Sequence, residues 1–405
     1  MRRMLLTRRA MTLEPTPPRA WAMLAVGVLA QVAGTVFVSA PAFLIPLLHL
    51  ERGVSLAEAG VLAAAPTLGL VTTLIAWGAL ADRIGERWVI AGGLALTSLA
   101  ALGAVLAGGY VWLGIFLLLG GAASASTNAA SGRVVVGWFP KHRRGLAMGI
   151  RQMSQPLGVT IAAVTIPGIA SASGVGAALL VPLALTAVLA VACALVITDP
   201  PRAARAQDAT APANPYRASS FLWRIHAVSA LLVLPQFLLS TFGLVWLVAE
   251  LGWEPLPAGI LVGVAQFIGA VGRIGVGVMS DRVGSRVRPL RWVAVSAAAV
   301  MLLLAAVDAT HFAGAGVLFV IATSVTVADN GLAFTSVAEM AGTAWAGRAL
   351  GAQNTGQFLT ASIAAPLFGA LIGLVGYPLT FVVAAAAPLA AIPLVPGADQ
   401  EHDRL

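Results

Sequence analysis

Two ten-residue stretches decide the fold of this chain: GALADRIGER at residues 78–87 and GVMSDRVGSR at residues 277–286. Both follow the pattern Gly-x-x-x-Asp-Arg-x-Gly-x-Arg, and each comes directly after a long apolar run. Their aspartates, Asp82 and Asp281, lie 199 residues apart in a chain of 405. Asn128 with Asn330, and residues 147–149 with 349–351, repeat at 202 residues. These matches indicate an internal duplication into two halves of the same helical plan.

The composition places both halves in a membrane. Hydrophobic residues make up 59% of the chain and charged residues only 10%, against roughly 25% charged residues in an average soluble domain. A soluble globular protein is therefore excluded. At ~20 residues per crossing, the sequence predicts twelve transmembrane helices. These spans, numbered 1 to 12 in order, are 21–48, 56–80, 88–107, 110–136, 145–170, 174–197, 221–249, 256–280, 290–307, 311–335, 346–375 and 377–395.

The basic residues predict the orientation. If the N-terminus is cytoplasmic, 22 of the 24 Lys and Arg residues fall on the cytoplasmic side, and only Arg52 and Arg273 do not. Positive charge is retained on the inside, so we expect both termini in the cytoplasm and the protein in the plasma (inner) membrane. The polar Pro/Ala-rich segment that begins at Asp199 is expected to be a linker. The predicted order is a tail at 1–20, a six-helix bundle at 21–198, the linker at 199–219, a second six-helix bundle at 220–396 and a tail at 397–405.

Along essentially its whole length, the chain resembles a transporter of the major facilitator superfamily. The two motifs carry the resemblance, because they match the family's loop between helices 2 and 3 and its echo between helices 8 and 9. The resemblance implies that these loops latch the two halves together in the outward-facing state; the alternative is a charged turn that only sets topology. The implied gating residues are Gly78, Asp82, Arg83, Gly85, Arg87, Gly277, Asp281, Arg282, Gly284 and Arg286.

The residues of the motif also have roles that follow from their chemistry. Gly78 and Gly277 have no side chain and should let neighbouring helices approach closely. The two aspartates can cap free backbone N–H groups and pair with a nearby Arg. Gly85 and Gly284 should supply turn conformations that other residues avoid.

Arg273 is the most informative charge, because it lies eight residues, about 12 Å, before Asp281 on span 8. A charge at that depth is costly and is a functional candidate by default. Its position resembles that of the substrate-contacting Arg in the oxalate:formate antiporter and monocarboxylate transporter branch. The alternatives are a structural role, in which Arg273 pairs with Asp329 or caps helix carbonyls without meeting substrate, and a lipid-facing side chain. Asp329, on span 10, is the candidate for the coupling proton, or else for a permanent link to Arg273 or Asn330.

Uncharged polar side chains mark further candidate cavity positions. Each is predicted to contact substrate or, alternatively, to form a hydrogen bond between helices. Arg151 is a possible second anion contact, unless it extends to the cytoplasm. The candidate substrate-binding set is Arg273, Asn128, Gln236, Asn330, Gln353 and Arg151, and Gln31 is a further polar point of the same kind.

The expected function is a secondary carrier that moves a small organic anion by alternating access, coupled to protons or exchange. The stretch around Pro156 has a weak similarity to a motif of proton-coupled drug exporters, so efflux of a hydrophobic compound is the alternative. The single Cys193 and five scattered histidines leave no metal or catalytic cluster, so neither an enzyme nor a cofactor is expected. A receptor derived from a carrier is a further alternative. The net charge of +8 is assigned to topology and not to nucleic-acid binding, and the expected partners are the bilayer and a small solute, with the protein acting as a monomer.

Overall fold

The computed structural model describes residues 18–139, 147, 150–199, 214–310 and 314–397, and every regular element in them is helical. Five helices precede the linker and four long helices follow it. Shorter helical pieces occur in the second half of the chain. The helices are α1 (Pro18–Leu50), α2 (Leu56–Ile84), α3 (Glu86–Val105), α4 (Tyr110–Trp138), α5 (Ser154–Val196), α6 (Pro215–Ala218), α7 (Phe221–Val245), α8 (Pro255–Val283), α9 (Val287–Ala309), α10 (Ala315–Thr326) and α11 (Asp329–Ala391). A π-helical turn, Trp246–Glu250, extends α7, and a 3-10 turn, Ile392–Leu394, follows α11.

Ten helical stretches of the described residues are long and apolar enough to cross a membrane, which confirms an all-helical membrane protein. The count differs from the predicted twelve because two stretches, Ile150–Val196 and Arg348–Leu394, each run for 47 residues without an intervening loop. That is more than twice the ~20 residues of one crossing. Gly174 (φ 85°) divides the first into two helices at a kink, and Gly376 (φ 77°) lies within the second.

The outer surface of the bundle is apolar. Leu374, Ile75 and Leu195 are 81%, 79% and 75% exposed, and they belong to three different helices. Large aliphatic side chains are stable in such positions when hydrocarbon covers them. This part of the exposed surface is therefore suited to lipid.

The two halves meet most closely at one end of the bundle. A Cβ atom at Gly60 of α2 would lie 2.5 Å from the Ala365 carbonyl oxygen of α11, and one at Gly259 of α8 would lie 2.2 Å from the Ala163 carbonyl oxygen of α5. Only glycine permits backbones to approach in this way. Both contacts join the N-terminal half to the C-terminal half at the end opposite the α2–α3 and α8–α9 loops. We call this the distal end, and the loop-bearing end the motif end.

Candidate functional site

An open cavity lies between the two halves and has about 940 Å³ of unoccupied space, open solvent included. Its wall is built by α1, α2, α4 and α5 on one side and by α7, α8 and α11 on the other. The wall contains polar side chains, which can form hydrogen bonds with a solute, and aromatic side chains, which can contact an apolar one. The polar ones include Gln31, Asn128, Gln155, Gln236, Gln266 and Arg273, and the aromatic ones are Phe43, Phe237 and Phe358. Among the described residues that line it, Arg273 is the sole charged side chain.

Arg273 faces this cavity from α8 and is half-buried. Its Nε donates a hydrogen bond to the Val327 carbonyl oxygen at 2.9 Å, which fixes the guanidinium group against the break between α10 and α11. No ion pair within 4.0 Å connects it to Asp329 or to any other described acid. The contact with Val327, at the C-terminal end of α10, is the carbonyl capping named as an alternative role for Arg273. The terminal nitrogens of Arg273, Nη1 and Nη2, form no hydrogen bond to a described residue and remain available as donors.

Asp329 begins α11 and has no exposed surface. No described group makes a hydrogen bond of normal geometry to either carboxylate oxygen, although the backbone N–H groups of Asp329 and Asn330 stabilise the charged form. A buried carboxylate in this state is costly when ionised, and the positive charge of the nearby Arg273 offsets part of that cost. Asp329 lies behind the cavity wall and does not line it. The fixed ion pair that the sequence left open as an alternative is absent from the described residues.

The amide side chains singled out in the sequence are joined in two matching pairs. In the N-terminal half, Gln31 Nε2 donates to Asn128 Oδ1 at 2.8 Å. In the C-terminal half, Asn330 Nδ2 donates to Gln236 Oε1 at 3.0 Å. Three of these four residues line the cavity, and Asn330 supports Gln236 from behind. The two predicted roles, substrate contact and hydrogen bonding between helices, are therefore compatible at Gln31, Asn128 and Gln236, whereas Asn330 is placed only for the second role.

Arg151 and Gln353 do not line the cavity. Arg151 turns toward α4, where Nε donates to Ser131 Oγ at 2.9 Å and Nη2 donates to the Asn128 carbonyl oxygen at 3.2 Å.

Pro156 does not interrupt a helix. The helix is broken before it, at Met153, so Pro156 lies in the first turn of α5, where a missing N–H costs nothing.

Gln353 is 2% exposed, and its Oε1 is hydrogen-bonded to Nδ1 of His226 at the motif end. The other nitrogen of His226, Nε2, meets the Tyr216 hydroxyl at 2.9 Å. Burial raises the pKa of the Tyr216 hydroxyl, which keeps it protonated and able to donate. These contacts dock the short linker helix α6 onto α7 and α11, so Gln353 belongs to this docking contact.

The motif loops bind within their own halves. Gly85 and Gly284 have φ values of 95° and 66°, which confirms the predicted turn conformations. The backbone N–H of Arg87 donates to Asp199 Oδ1 at 2.8 Å, and Arg286 forms an ion pair with Glu339 at 3.2 Å.

The prediction that Gly78 and Gly277 allow close helix packing is wrong for the described residues. A Cβ atom at Gly78 or at Gly277 would have no described atom within 4 Å. The close glycine contacts between the halves are at the distal end instead, and the described residues of the motif end provide no neighbour to Gly78 or Gly277. The roles assigned to Asp82 and Asp281 stay predictions, because their side chains lie outside the described part of the structure.

Several site residues were not identified from the sequence. Gln266 precedes Arg273 by seven residues, which is two helical turns, and so it lies on the same face of α8. That spacing is a signal that was available. Asp308, only 2% exposed, accepts a hydrogen bond from Trp246 Nε1 at 2.8 Å and is a second buried acid, just beyond the end of the predicted span 9.

Comparisons with known proteins agree with this architecture. The chain is 49% identical over 389 residues to the uncharacterized MFS-type transporter Rv2994 of Mycobacterium tuberculosis, and the match covers 95% of this chain and 87% of that protein. A counterpart in another strain of that organism, MT3072, gives the same values. Crystal structures of a bacterial homologue of the human lysosomal transporter Spinster, inward-facing and either unoccupied or occupied, superpose with TM-scores of 0.75 and 0.76. They share 16% sequence identity and the comparison covers 94% of this chain and 97% of those chains, so they support the fold alone.

The family model described as Major Facilitator Superfamily matches residues 27–365. Among the described residues, no group of three or more His, Cys, Asp or Glu side chains is arranged to hold a metal ion. The central cavity between two helical halves, the paired motif loops and the family match lead to one conclusion. The chain belongs to the Major Facilitator Superfamily of membrane transporters.

Proposed function

We propose that the protein is a secondary carrier that moves a small, monocarboxylate-like organic anion, coupled to protons or to exchange. Arg273 is the anion anchor and Asp329 is the proton site. The observation that carries the proposal is the guanidinium group of Arg273, held by one hydrogen bond to Val327 and facing a cavity without another described charge. An arginine fork binds a carboxylate through two parallel hydrogen bonds, so this arrangement suits a carboxylate.

The proposed topology has twelve crossings, with both termini and the motif end in the cytoplasm of a plasma membrane. Each 47-residue stretch is then two crossings that turn at Gly174 and at Gly376. This divides the chain into the six-helix bundles 21–198 and 220–396, joined by the linker 199–219. A bundle with its own central path needs no second copy, so we propose a monomer.

Alternating access then has a specific barrier at the distal end. Phe43 of α1 is 2% exposed and lines both the central cavity and a smaller distal cavity of about 350 Å³. The glycine contacts of Gly60 and Gly259 lie on the same side. In the proposed cycle this barrier opens as the motif loops come together, and the anion passes Phe43 into the distal cavity.

The direct test is uptake of a panel of carboxylates into proteoliposomes, comparing the wild type with Arg273→Ala. We expect at least one carboxylate to be taken up and the variant to lose that uptake. Arg217→Ala, on the exposed side of α6, is the matched control and should transport normally. Unchanged uptake in Arg273→Ala would remove the anchoring role.

Proton-coupled efflux of a hydrophobic compound is the second candidate. The observation that favours it is the set of three phenylalanines in the cavity wall, Phe43, Phe237 and Phe358. Under this function, deletion of the gene raises sensitivity to hydrophobic drugs and purified protein moves no carboxylate. Carboxylate binding without flux would instead favour a receptor.

A further inference from the structure

The charge of the central cavity limits the anion it can hold. Arg273 supplies one guanidinium group, and the other polar side chains named in the wall are neutral amides, including Gln155 and Gln266. One guanidinium group neutralises one carboxylate. A second carboxylate on the same ligand would leave water for a wall of neutral groups, which is unfavourable without a further cation.

The length of the cavity exceeds the length of a two-carbon anion. Gln31 and Phe43 lie 12 residues apart on α1, so the wall extends for about 18 Å along this helix. Arg273 is 18 residues from the distal end of α8 and Gln31 is 19 residues from the distal end of α1, about 27 and 28 Å respectively. The two are therefore at similar depth. An anion held by Arg273 has two to three helical turns of cavity between it and Phe43.

The wall between Arg273 and Phe43 is mixed, since it holds large apolar side chains and also the hydroxyl groups of Ser39, Ser240 and Thr241. Phe237 follows Gln236 on α7 and Phe358 follows Gln357 on α11, and both rings are half-buried at the cavity surface. Aromatic side chains at such positions gain free energy when a ligand covers them. The cavity therefore offers apolar surface along the same path as the guanidinium group, on a wall that also carries hydroxyl and amide groups.

We infer that the carried anion is a monocarboxylate with a sizeable apolar body, aliphatic or aromatic, and that Phe237 and Phe358 contact that body. This rests on the proposed anion transport and makes it more specific. It separates the chain from carriers of oxalate or formate, because those ions have no apolar group to place against the two rings. Arg273 binds the carboxylate, and the phenylalanines select among monocarboxylates.

The test is competition against radiolabelled hexanoate bound to the purified full-length protein. Acetate, butyrate, unlabelled hexanoate, phenylacetate, oxalate and succinate are the competitors. Each buried methylene is worth about four-fold in affinity, so we expect a rise of that size per methylene from acetate to hexanoate. Succinate should bind more weakly than butyrate, which has the same number of carbons. The variant F237A/F358A should flatten the aliphatic series and weaken phenylacetate far more than acetate.

Phe267→Ala is the matched control, because Phe267 follows Gln266 on the same helix but is 50% exposed on the outer surface. It should keep the wild-type series. The wild-type series is decisive even if the double variant does not fold. Dicarboxylates that bind as tightly as hexanoate, or a series without a slope, would overturn the inference and leave anion transport standing. If no carboxylate binds at all, the proposed function itself fails.

Discussion

The two halves share one arrangement of amides and differ in their charges. Gln31–Asn128 in the N-terminal half corresponds to Gln236–Asn330 in the C-terminal half, with hydrogen bonds of 2.8 and 3.0 Å. The second pair is extended by Gln357, whose Nε2 donates to Asn330 Oδ1 at 2.8 Å. A duplicated plan has thus kept the same contact between the first and fourth helices of each half.

The charges at the repeat-equivalent positions are not shared. Arg273 stands 199 residues after Leu74, and Asp329 stands 202 residues after Thr127. The N-terminal half has its own buried cation, Arg151, but this residue is bonded to α4. The comparison teaches that the common amides form the frame of the cavity, while the chemistry proposed for transport belongs to the C-terminal half.

Among the substitutions that test this difference between the halves, Asp329→Asn should have the largest effect. It makes position 329 neutral, as the repeat-equivalent Thr127 is. We expect proton-driven accumulation of the anion to be lost, because the carboxamide cannot take up and release a proton. Exchange of labelled for unlabelled anion should continue, because Arg273 is intact. Both are measured in proteoliposomes with and without an imposed pH gradient.

Asp308→Asn is the control for this prediction, because Asp308 is the other deeply buried acid described in the C-terminal half and it binds Trp246, away from Arg273. It should keep proton-driven accumulation. Accumulation that survives in Asp329→Asn would show that the proton is carried elsewhere.

Alanine substitutions at Gly85 and Gly284, the second glycine of each motif, should differ in their effect on stability. Gly85 has φ 95° and ψ 163°, a conformation that is almost confined to glycine, and a Cβ atom there would lie 2.1 Å from Asp199 Oδ2. A Cβ atom at Gly284 would meet no described atom within 4 Å. We expect Gly85→Ala to destabilise by about 3 kcal/mol and Gly284→Ala by about 1 kcal/mol.

Thermal unfolding in detergent would measure this difference. Gly78→Ala serves as the control, because it lies within α2 and a Cβ atom has open space there. It should leave stability unchanged or raise it slightly. Equal losses in the Gly85 and Gly284 variants would contradict the role given to Asp199.

The smallest effect is expected for the amide pairs. Asn330→Ala removes two hydrogen bonds and Asn128→Ala removes one, and bonds between membrane helices are worth about 0.6 kcal/mol each. We therefore expect losses near 1.2 and 0.6 kcal/mol in unfolding free energy, measured by unfolding titration in mixed micelles. A larger loss for Asn128→Ala would reverse the comparison.

The sequence predicted the class of fold because the motif repeat and the apolar runs are local signals. The sequence did not predict which side chains form hydrogen bonds with each other. The period of a helix gives the face on which a residue lies, but the rotation of neighbouring helices decides which side chain is met. Gln353 and Gln357 are one turn apart on α11, and only Gln357 joins the Asn330 pair.

Arg151 shows the same limit, because its partners Ser131 and Asn128 lie on another helix. The count of spans differed for a different reason. The chain is kinked at Gly174, and Gly376 has a positive φ, but neither 47-residue stretch contains a loop that would separate two spans.

The central claim is that the anion charge is held by the C-terminal half. The most direct measurement is the Kd of labelled hexanoate for Arg273→Gln and for Arg151→Gln, the latter giving the N-terminal half the residue that the C-terminal half has at Gln353. Loss of a charge-assisted pair in the cavity should raise the Kd about 100-fold or more in Arg273→Gln. Arg151→Gln should change it less than about five-fold, because the hydrogen bonds that it loses, to Ser131 Oγ and to the Asn128 carbonyl oxygen, are made by a side chain that does not line the cavity. A large effect in Arg151→Gln with none in Arg273→Gln would contradict the account.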